Sequence, residues 1–115
     1  MTRYKQSYNF IHIRLLVIPR TVVTPINSTV LEGRPFNIDC VSSTSPANSV
    51  WTQLGATTLP SNIQTYSNGT LVITVANANN IGSYQCNLTN AAGTNTAIAA
   101  IQMICEFTIR YMKFC

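Results

Sequence analysis

The chain has 115 residues and a formal net charge of +4, and 46% of its residues are apolar while only 9% are charged. That length suits one domain, and the apolar content excludes a disordered chain, because disordered chains are poor in apolar residues and rich in charge. An average soluble domain has roughly 25% charged residues, so the polar surface here must come from Thr, Asn and Ser, which favours strands and turns and argues against a helix bundle.

The N-terminal residues 1–18 are expected to be a flank outside the domain. They begin with a basic stretch and continue into an apolar run that His12 and Arg14 interrupt, and no small-residue cleavage site follows. Such a segment matches a secretory signal poorly. Four of the seven Lys and Arg residues lie within residues 1–20, whereas a phosphate-binding surface needs them clustered on the folded unit. We therefore expect no nucleic-acid binding.

Between residues 19 and 104, short apolar runs with period-two alternation are separated by turn signals. The predicted strands, in chain order, are one that ends at Leu31 and then residues 36–41, 50–54, 70–75, 84–89 and 97–103. The predicted inward positions are Phe36, Ile38, Cys40, Leu71, Ile73, Tyr84, Cys86, Leu88, Ala99, Ile101 and Met103. Short strands at this spacing predict an antiparallel sandwich or barrel.

Residues 105–115 are expected to form a second flank that is not part of the domain. The last ten residues show no turn signal and no clear period, and the apolar run before them contains Gln102 and Glu106. That run is too short and too polar to span a bilayer. Cys105 and Cys115 could form a second bridge or an intermolecular one, but because no strand pairing is implied between them we expect these two cysteines to be unpaired.

Two other cysteines occupy the middle of predicted strands. Cys40 and Cys86 both lie at inward positions and are 46 positions apart. A zinc site would need closely spaced cysteine pairs on loops. A buried disulfide between two sheets fits these positions better, and closing a loop of this length stabilises the fold by about 4 kcal/mol in the chain-entropy model.

The pattern resembles the immunoglobulin superfamily, and within it the intermediate set, or I-set. The resemblance is carried by Val30-Leu31-Glu32-Gly33, Cys40, Trp51, Gly69-Thr70-Leu71-Val72-Ile73, Gly82-Ser83-Tyr84-Gln85-Cys86, Asn90-Ala91-Ala92-Gly93, and the alternating Ala99, Ile101 and Met103. It implies an all-β fold, a two-sheet antiparallel Greek-key sandwich, over residues 19–104.

The resemblance also assigns roles to single residues. Cys40 and Cys86 would bridge strands B and F, and Trp51 would pack its indole on that bridge from strand C. Tyr84 would be the tyrosine-corner residue, with its hydroxyl bonded to a nearby backbone carbonyl. Leu71 and Gly82 complete the core signature of the family.

Two positions depart from the family pattern. Asn80 stands where the family usually has Asp; it can still accept a backbone N–H but cannot form an ion pair, which costs little at an exposed site. Ser49 stands where the family usually has an inward apolar residue. We therefore expect a bulge or a register shift near Val50.

The sequence offers no reactive site. It has no carboxylate pair, phosphate loop or metal-ligand cluster, and its one histidine, His12, lies in the N-terminal flank. We expect no enzyme activity, no cofactor and no metal. The resemblance implies a protein-recognition or cell-adhesion module, one repeat of a larger extracellular, matrix or cell-surface protein. Its partners would be other proteins, homophilic or heterophilic, and neighbouring immunoglobulin-like domains. The alternative is a structural I-set repeat of an intracellular muscle or cytoskeletal protein.

Three sequons for N-glycosylation begin at Asn27, Asn68 and Asn87. With this content of Asn, Ser and Thr, chance alone gives roughly 2.5 sequons, so their number does not indicate secretion. The low charge of residues 21–105 is more informative, because glycans hydrate a surface that has few charges. We expect glycosylation at Asn68 and Asn87.

Overall fold

The computed structural model describes residues 18–42 and 47–115, without the side chain of Phe107. The described part contains nine strands and one short 3-10 helix. The strands are β1 (Thr21–Thr24), β2 (Asn27–Leu31), β3 (Phe36–Ser42), β4 (Asn48–Gln53), β5 (Ile63–Thr65), β6 (Thr70–Ile73), β7 (Gly82–Asn90), β8 (Gly93–Phe107) and β9 (Met112–Phe114). The 3-10 helix, Ala78–Asn80, lies between β6 and β7. The flank predicted at residues 1–18 lies outside the described residues, apart from Ile18.

The strands form two sheets that pack as a sandwich. The first sheet has the order β1-β3-β6-β5, and the second has the order β2-β8-β7-β4 with β9 added beside β8. All paired strands are antiparallel except β2 and β8, which run parallel. The chain crosses between the sheets five times, at β1–β2, β2–β3, β3–β4, β4–β5 and β6–β7. The prediction of an all-β, two-sheet sandwich is confirmed.

The core lies between the two sheets and follows the predicted alternation. Ten of the eleven predicted inward side chains are buried, and Phe36 on β3 is half-buried and packs against the core. The outward neighbours Asn37, Asp39 and Val41 on β3 are exposed. The buried members of the predicted set are Ile38, Cys40, Leu71, Ile73, Tyr84, Cys86, Leu88, Ala99, Ile101 and Met103. Burial of each such aliphatic side chain contributes about 1.5–3 kcal/mol, which makes this row the main source of stability.

Each of the five strands predicted with both ends differs from the structure at one or both limits, by one to four residues. β6 ends at Ile73 rather than at residue 75, and the N–H of the next residue, Thr74, donates to the carbonyl oxygen of Asn62 just before β5. β8 begins at Gly93 and continues to Phe107, well past residue 103. The last part of β8 pairs with β9, so residues 104–114 form a hairpin.

Candidate functional site

A disulfide joins the two sheets through the centre of the core. Cys40 on β3 is bonded to Cys86 on β7, and their Cα atoms are 6.4 Å apart. Trp51 on β4 lies directly opposite Cys86 in the ladder and belongs to the same buried cluster. The predicted bond between Cys40 and Cys86 is therefore present, and it fixes the relative position of the two outer faces.

The turn before β6 contacts both the disulfide strand and Trp51. The carbonyl oxygen of Gly69 accepts a hydrogen bond from the Cys40 N–H at 3.0 Å and another from the Trp51 indole Nε1–H at 2.9 Å. Gly69 has a φ of +100°, and a Cβ placed there would overlap the carbonyl oxygen of Cys40. Only glycine fits at this position, because it alone has no Cβ and tolerates positive φ without strain.

Tyr84 occupies the position of a tyrosine corner. Its ring is completely buried, and its hydroxyl donates to the carbonyl oxygen of Asn80 at 2.8 Å. Burial raises the pKa of Tyr84 above its ordinary value, while the side-chain amide of Asn80 opposes that shift. The neutral phenol is thus the form that the fold stabilises.

Asn80 is buried, which corrects the expectation of an exposed site. Its solvent-exposed fraction is 0%. Its Oδ1 accepts from the Asn77 N–H at 2.8 Å and from Asn62 Nδ2 at 2.7 Å, and its Nδ2 donates to Asn62 Oδ1 at 2.9 Å. A buried amide needs partners at both ends. Asn62 supplies both partners. Because Asn80 replaces the usual Asp, the interaction at this position is a pair of neutral amides and not an ion pair.

Strand β4 is regular, so the predicted bulge near Val50 is wrong. Six consecutive residue pairs join β4 to β7 without a register shift. Ser49 keeps the inward parity of Trp51, and within the described part of the chain its buried hydroxyl has no hydrogen-bond partner. The backbone hydrogen bonds between β4 and β7 outweigh the free-energy cost of burying the unpaired Ser49 hydroxyl. The polar residue therefore does not shift the register of β4.

The outward side chains of β4, β7 and β8 form a surface without charge, which we call the β4–β7–β8 face. Its first row in the ladder is Val50, Asn87 and Thr96, and its second row is Thr52, Gln85 and Ile98. Strands β4 and β7, and β8 as far as Gln102, contain no Asp, Glu, Lys or Arg. Val50 and Ile98 are 59% and 48% exposed. The face therefore combines two exposed aliphatic groups with neutral hydrogen-bonding groups.

The three sequon asparagines lie on different parts of the sandwich. Asn27 is exposed on β2, and Asn68 is exposed in the turn before β6. Asn87 is half-buried on β7, in the middle of the β4–β7–β8 face, where its Oδ1 accepts from Gln85 Nε2 at 2.9 Å. The outward direction predicted for Asn87 agrees with its position between Cys86 and Leu88, which are both buried.

Comparison with known proteins gives the family. A family model described as an immunoglobulin domain matches residues 18–90. The chain belongs to this family. Its matched segment contains the Cys40–Cys86 bridge, Trp51 and the tyrosine corner at Tyr84. The disulfide, the buried tryptophan and the tyrosine corner are the features that distinguish the immunoglobulin sandwich.

Several relatives of this immunoglobulin domain are parts of larger molecules. The chain is 30% identical over 100 residues to Protein sidekick of Drosophila melanogaster, which covers 81% of the chain but only 4% of that protein. Among solved structures it is similar to Drosophila OTK, extracellular domains 3–5, at 28% identity and a TM-score of 0.63, covering 75% of this chain and 30% of that one. It is also similar to a chain of the immunoglobulin domain complex of titin M10 and obscurin-like 1, at 25% identity and a TM-score of 0.65. This match covers 78% of this chain and 97% of that one.

The C-terminal hairpin lies beyond the residues that the family model matches. Cys105 and Cys115 are bonded to each other, with Cα atoms 5.1 Å apart, so the expectation of two unpaired cysteines is wrong. The turn that the sequence did not reveal is held by Thr108, whose Oγ1 accepts from the N–H groups of Arg110 and Tyr111. A threonine-based turn lacks the Gly, Pro or Asn that usually marks one.

The hairpin exposes several large apolar side chains. They are Ile109, Tyr111, Met112 and Phe114. Phe114 and Cys115 line a cleft of about 280 Å³ together with Ile81, Gln102 and Met103. An exposed ion pair between Lys113 and Glu106, 3.9 Å apart, joins the two strands and contributes at most about 1 kcal/mol.

The described residues contain no helix with the length and hydropathy required to cross a bilayer. His12 lies outside the described residues, so the structure gives no position for the one histidine of the chain.

Proposed function

We propose that this immunoglobulin domain is an extracellular protein-recognition module of the adhesion type, forms one repeat of a longer chain, and has no catalytic activity. The single observation that carries the proposal is the uncharged β4–β7–β8 face. The buried centres of protein interfaces are depleted in charged residues. A face of Val50, Ile98 and neutral polar groups can lose its water without the cost of burying a charge.

The position of this domain in a longer chain is supported by its relatives. Protein sidekick is far longer than the matched segment, and the OTK structure consists of several extracellular domains. We propose that residues 19–104 form the domain, that it is of the I-set type, and that neighbouring immunoglobulin-like domains flank it. The parallel pairing of β2 with β8 and the direct sheet change after β1 support the type.

We also propose N-glycans at Asn68 and Asn87, with Asn27 as a third candidate. The exposure of Asn68 and the outward direction of Asn87 support these sites. A glycan on Asn87 would project into solvent from the middle strand of this face, because Asn87 pairs with Val50 on one side and Thr96 on the other. It would cover part of the β4–β7–β8 face and direct partners elsewhere, so this face is free for recognition in chains that carry no glycan at Asn87.

The test is a binding assay on the domain secreted from mammalian cells. Beads that carry one domain type measure homophilic clustering, and a panel of cell-surface ectodomains measures heterophilic binding. We expect the double variant V50D/I98D to lose binding when it is made in N87Q, in which no glycan covers the β4–β7–β8 face. V41D is the matched control, because Val41 is 48% exposed on the outer face of the other sheet. Loss of binding in V41D, with V50D/I98D unchanged, would place recognition on the opposite sheet.

The glycan gives a second arm of the same assay. We expect N87Q to bind more strongly than the wild-type domain, since it uncovers the β4–β7–β8 face. N68Q removes a glycan from the turn before β6 and should leave binding unchanged. Equal binding by all three forms would show that this face is not the recognition surface.

A second candidate is a structural repeat of an intracellular rod. The similarity to the titin M10 and obscurin-like 1 immunoglobulin complex favours it. Disulfides are rare in the reducing cytosol, so the Cys40–Cys86 bond supports the extracellular proposal over this one. Detection of the natural protein in the cytosol, with Cys40 and Cys86 reduced, would establish the structural alternative.

A further inference from the structure

We propose that Glu32, Cys105 and Cys115 form a zinc site when the bond between the two cysteines is reduced. The ligand atoms of these three side chains all lie within 4.8 Å of one another. Cys105 and Cys115 lie 73 and 83 positions after Glu32, which is why no metal-binding spacing is visible in the sequence. This proposal is independent of the proposed function.

The backbone holds the three residues in place without the sulfur–sulfur bond. The Glu32 N–H donates to the carbonyl oxygen of Ile104 at 2.9 Å, which continues the parallel ladder between β2 and β8. The Cys115 N–H donates to the carbonyl oxygen of Met103 at 3.0 Å, which continues the ladder between β9 and β8. Glu32 directly follows β2 and Cys115 directly follows β9, so these two residues lie at the ends of the strands that pair with β8, which carries Cys105.

The site is open to solvent, unlike the bond in the core. Glu32 and Cys115 are exposed and Cys105 is half-buried, whereas Cys40 and Cys86 are at most 1% exposed. Thiol–disulfide exchange requires access of the attacking thiolate to a sulfur. A dithiol reductant will therefore open the Cys105–Cys115 bond while the Cys40–Cys86 bond stays closed.

The reduction and the metal binding balance as follows. One dithiol passes two electrons and two protons to the Cys105–Cys115 bond, becomes a cyclic disulfide, and leaves two thiols. Zinc then displaces the two thiol protons and binds both thiolates. Two sulfurs at about 2.3 Å from zinc in tetrahedral geometry are about 3.8 Å apart. Cα atoms that are 5.1 Å apart allow this spacing through side-chain rotation alone.

The donor set suits zinc. Two thiolates and one carboxylate are ligands that zinc accepts, and an open site leaves a fourth position for water. The C-terminal hairpin would thus be closed by a disulfide in an oxidising compartment and by zinc in a reducing one. In both states Met112 and Phe114 stay beside β8.

The test uses the full chain, treated with a dithiol under native conditions and freed of reductant without oxygen. Native mass spectrometry and cobalt titration, read by the thiolate-to-cobalt absorption, measure metal binding. Thiol alkylation with peptide mapping checks that only Cys105 and Cys115 are free, and fluorescence of Trp51 reports that the fold is intact. We expect one metal ion per chain in the reduced protein and none in the oxidised protein.

Variants decide whether the three named residues are the ligands. E32Q should weaken zinc binding by roughly tenfold or more, and C105S/C115S should abolish it. E106Q is the matched control, because Glu106 is an exposed carboxylate of the same hairpin. Equal affinity in E32Q and wild type, one metal shared by two chains, or equal binding by C105S/C115S would each overturn the proposal.

Discussion

The side-chain amides of Asn62 and Asn80 hydrogen-bond to each other at both ends, with N···O distances of 2.7 and 2.9 Å. Asn62 lies just before β5 and Asn80 closes the 3-10 helix before β7, so the pair joins the two segments that flank β6. Asn62 Nδ2 also donates to the carbonyl oxygen of Val75 at 2.8 Å. The pair therefore satisfies a buried polar residue and ties down this end of the first sheet.

Removing one member of this pair should be costly. N62A would leave the buried amide of Asn80 without one donor and one acceptor, and we expect it to lower the free energy of unfolding by about 1–3 kcal/mol. N37A, which truncates an exposed asparagine on β3, should change it by less than about 0.5 kcal/mol. Urea denaturation of both variants measures the difference, and equal values would show that the amide pair contributes nothing.

Gly69 and Gly33 both have positive φ, but alanine should be far less tolerated at Gly69 than at Gly33. G69A should destabilise the protein by several kcal/mol, since the new Cβ would meet the carbonyl oxygen of Cys40 at a positive φ. Gly33 also has positive φ, but nothing lies within 4 Å of a Cβ built there. G33A should therefore cost only about 1–2 kcal/mol, from the positive φ alone. Thermal unfolding that ranked G33A as the less stable variant would contradict this account.

Tyr84 should make stability fall at alkaline pH. The unfolded tyrosine ionises near pH 10, whereas the pKa of the folded Tyr84 is raised by burial. Above pH 10 the unfolded chain therefore binds fewer protons than the folded protein, and the free energy of unfolding decreases as pH rises. The contribution is complete below pH 10 and is lost as pH rises through the folded pKa.

The variant Y84F separates this effect from other alkaline titrations. It should lose about 1 kcal/mol at neutral pH with the hydroxyl bond to Asn80, and its stability should fall less steeply than that of the wild type above pH 10. Y66F, which removes an exposed tyrosine hydroxyl bonded to Gln64, is the control at neutral pH and should change the free energy of unfolding by less than about 0.5 kcal/mol. Parallel slopes for Y84F and the wild type would be inconsistent with a raised Tyr84 pKa.

Trp51 combines burial with one specific hydrogen bond. W51F keeps an aromatic ring but removes the indole donor to Gly69, so the carbonyl oxygen of Gly69 keeps only the Cys40 N–H. We expect a loss of about 1–3 kcal/mol, part from the bond and part from the smaller ring. Calorimetry measures this loss, and a W51F protein as stable as the wild type would show that the indole bond is dispensable.

The sequence predicts the sandwich well because its signals are local. Period-two alternation identified Ile38, Leu71 and Tyr84 as inward, and all three are buried. Burial of Asn80 could not be predicted, because the partner that satisfies it lies 18 positions away. The regular register of β4 was missed for a related reason, since the ladder to β7 decides it rather than the polarity of Ser49.

The C-terminal hairpin and its candidate metal site depend on pairings that no local signal reveals. Thr108 forms the turn without glycine or proline, and that turn brings Cys115 beside Cys105. Glu32 reaches them only through the parallel pairing of β2 with β8. Parallel pairing between distant strands leaves no mark on either strand alone, so this cluster becomes visible only in three dimensions.

The most direct test of the central claim, an extracellular immunoglobulin domain whose sheets are bridged, is one peptide map of the secreted chain. The protein is digested without reductant after enzymatic removal of glycans in heavy-oxygen water, which labels each formerly glycosylated asparagine. We predict a peptide pair linked through Cys40 and Cys86 and heavy-oxygen labels at Asn68 and Asn87. A free thiol at Cys40, a Cys86–Cys105 link, or unlabelled Asn68 and Asn87 would contradict the account.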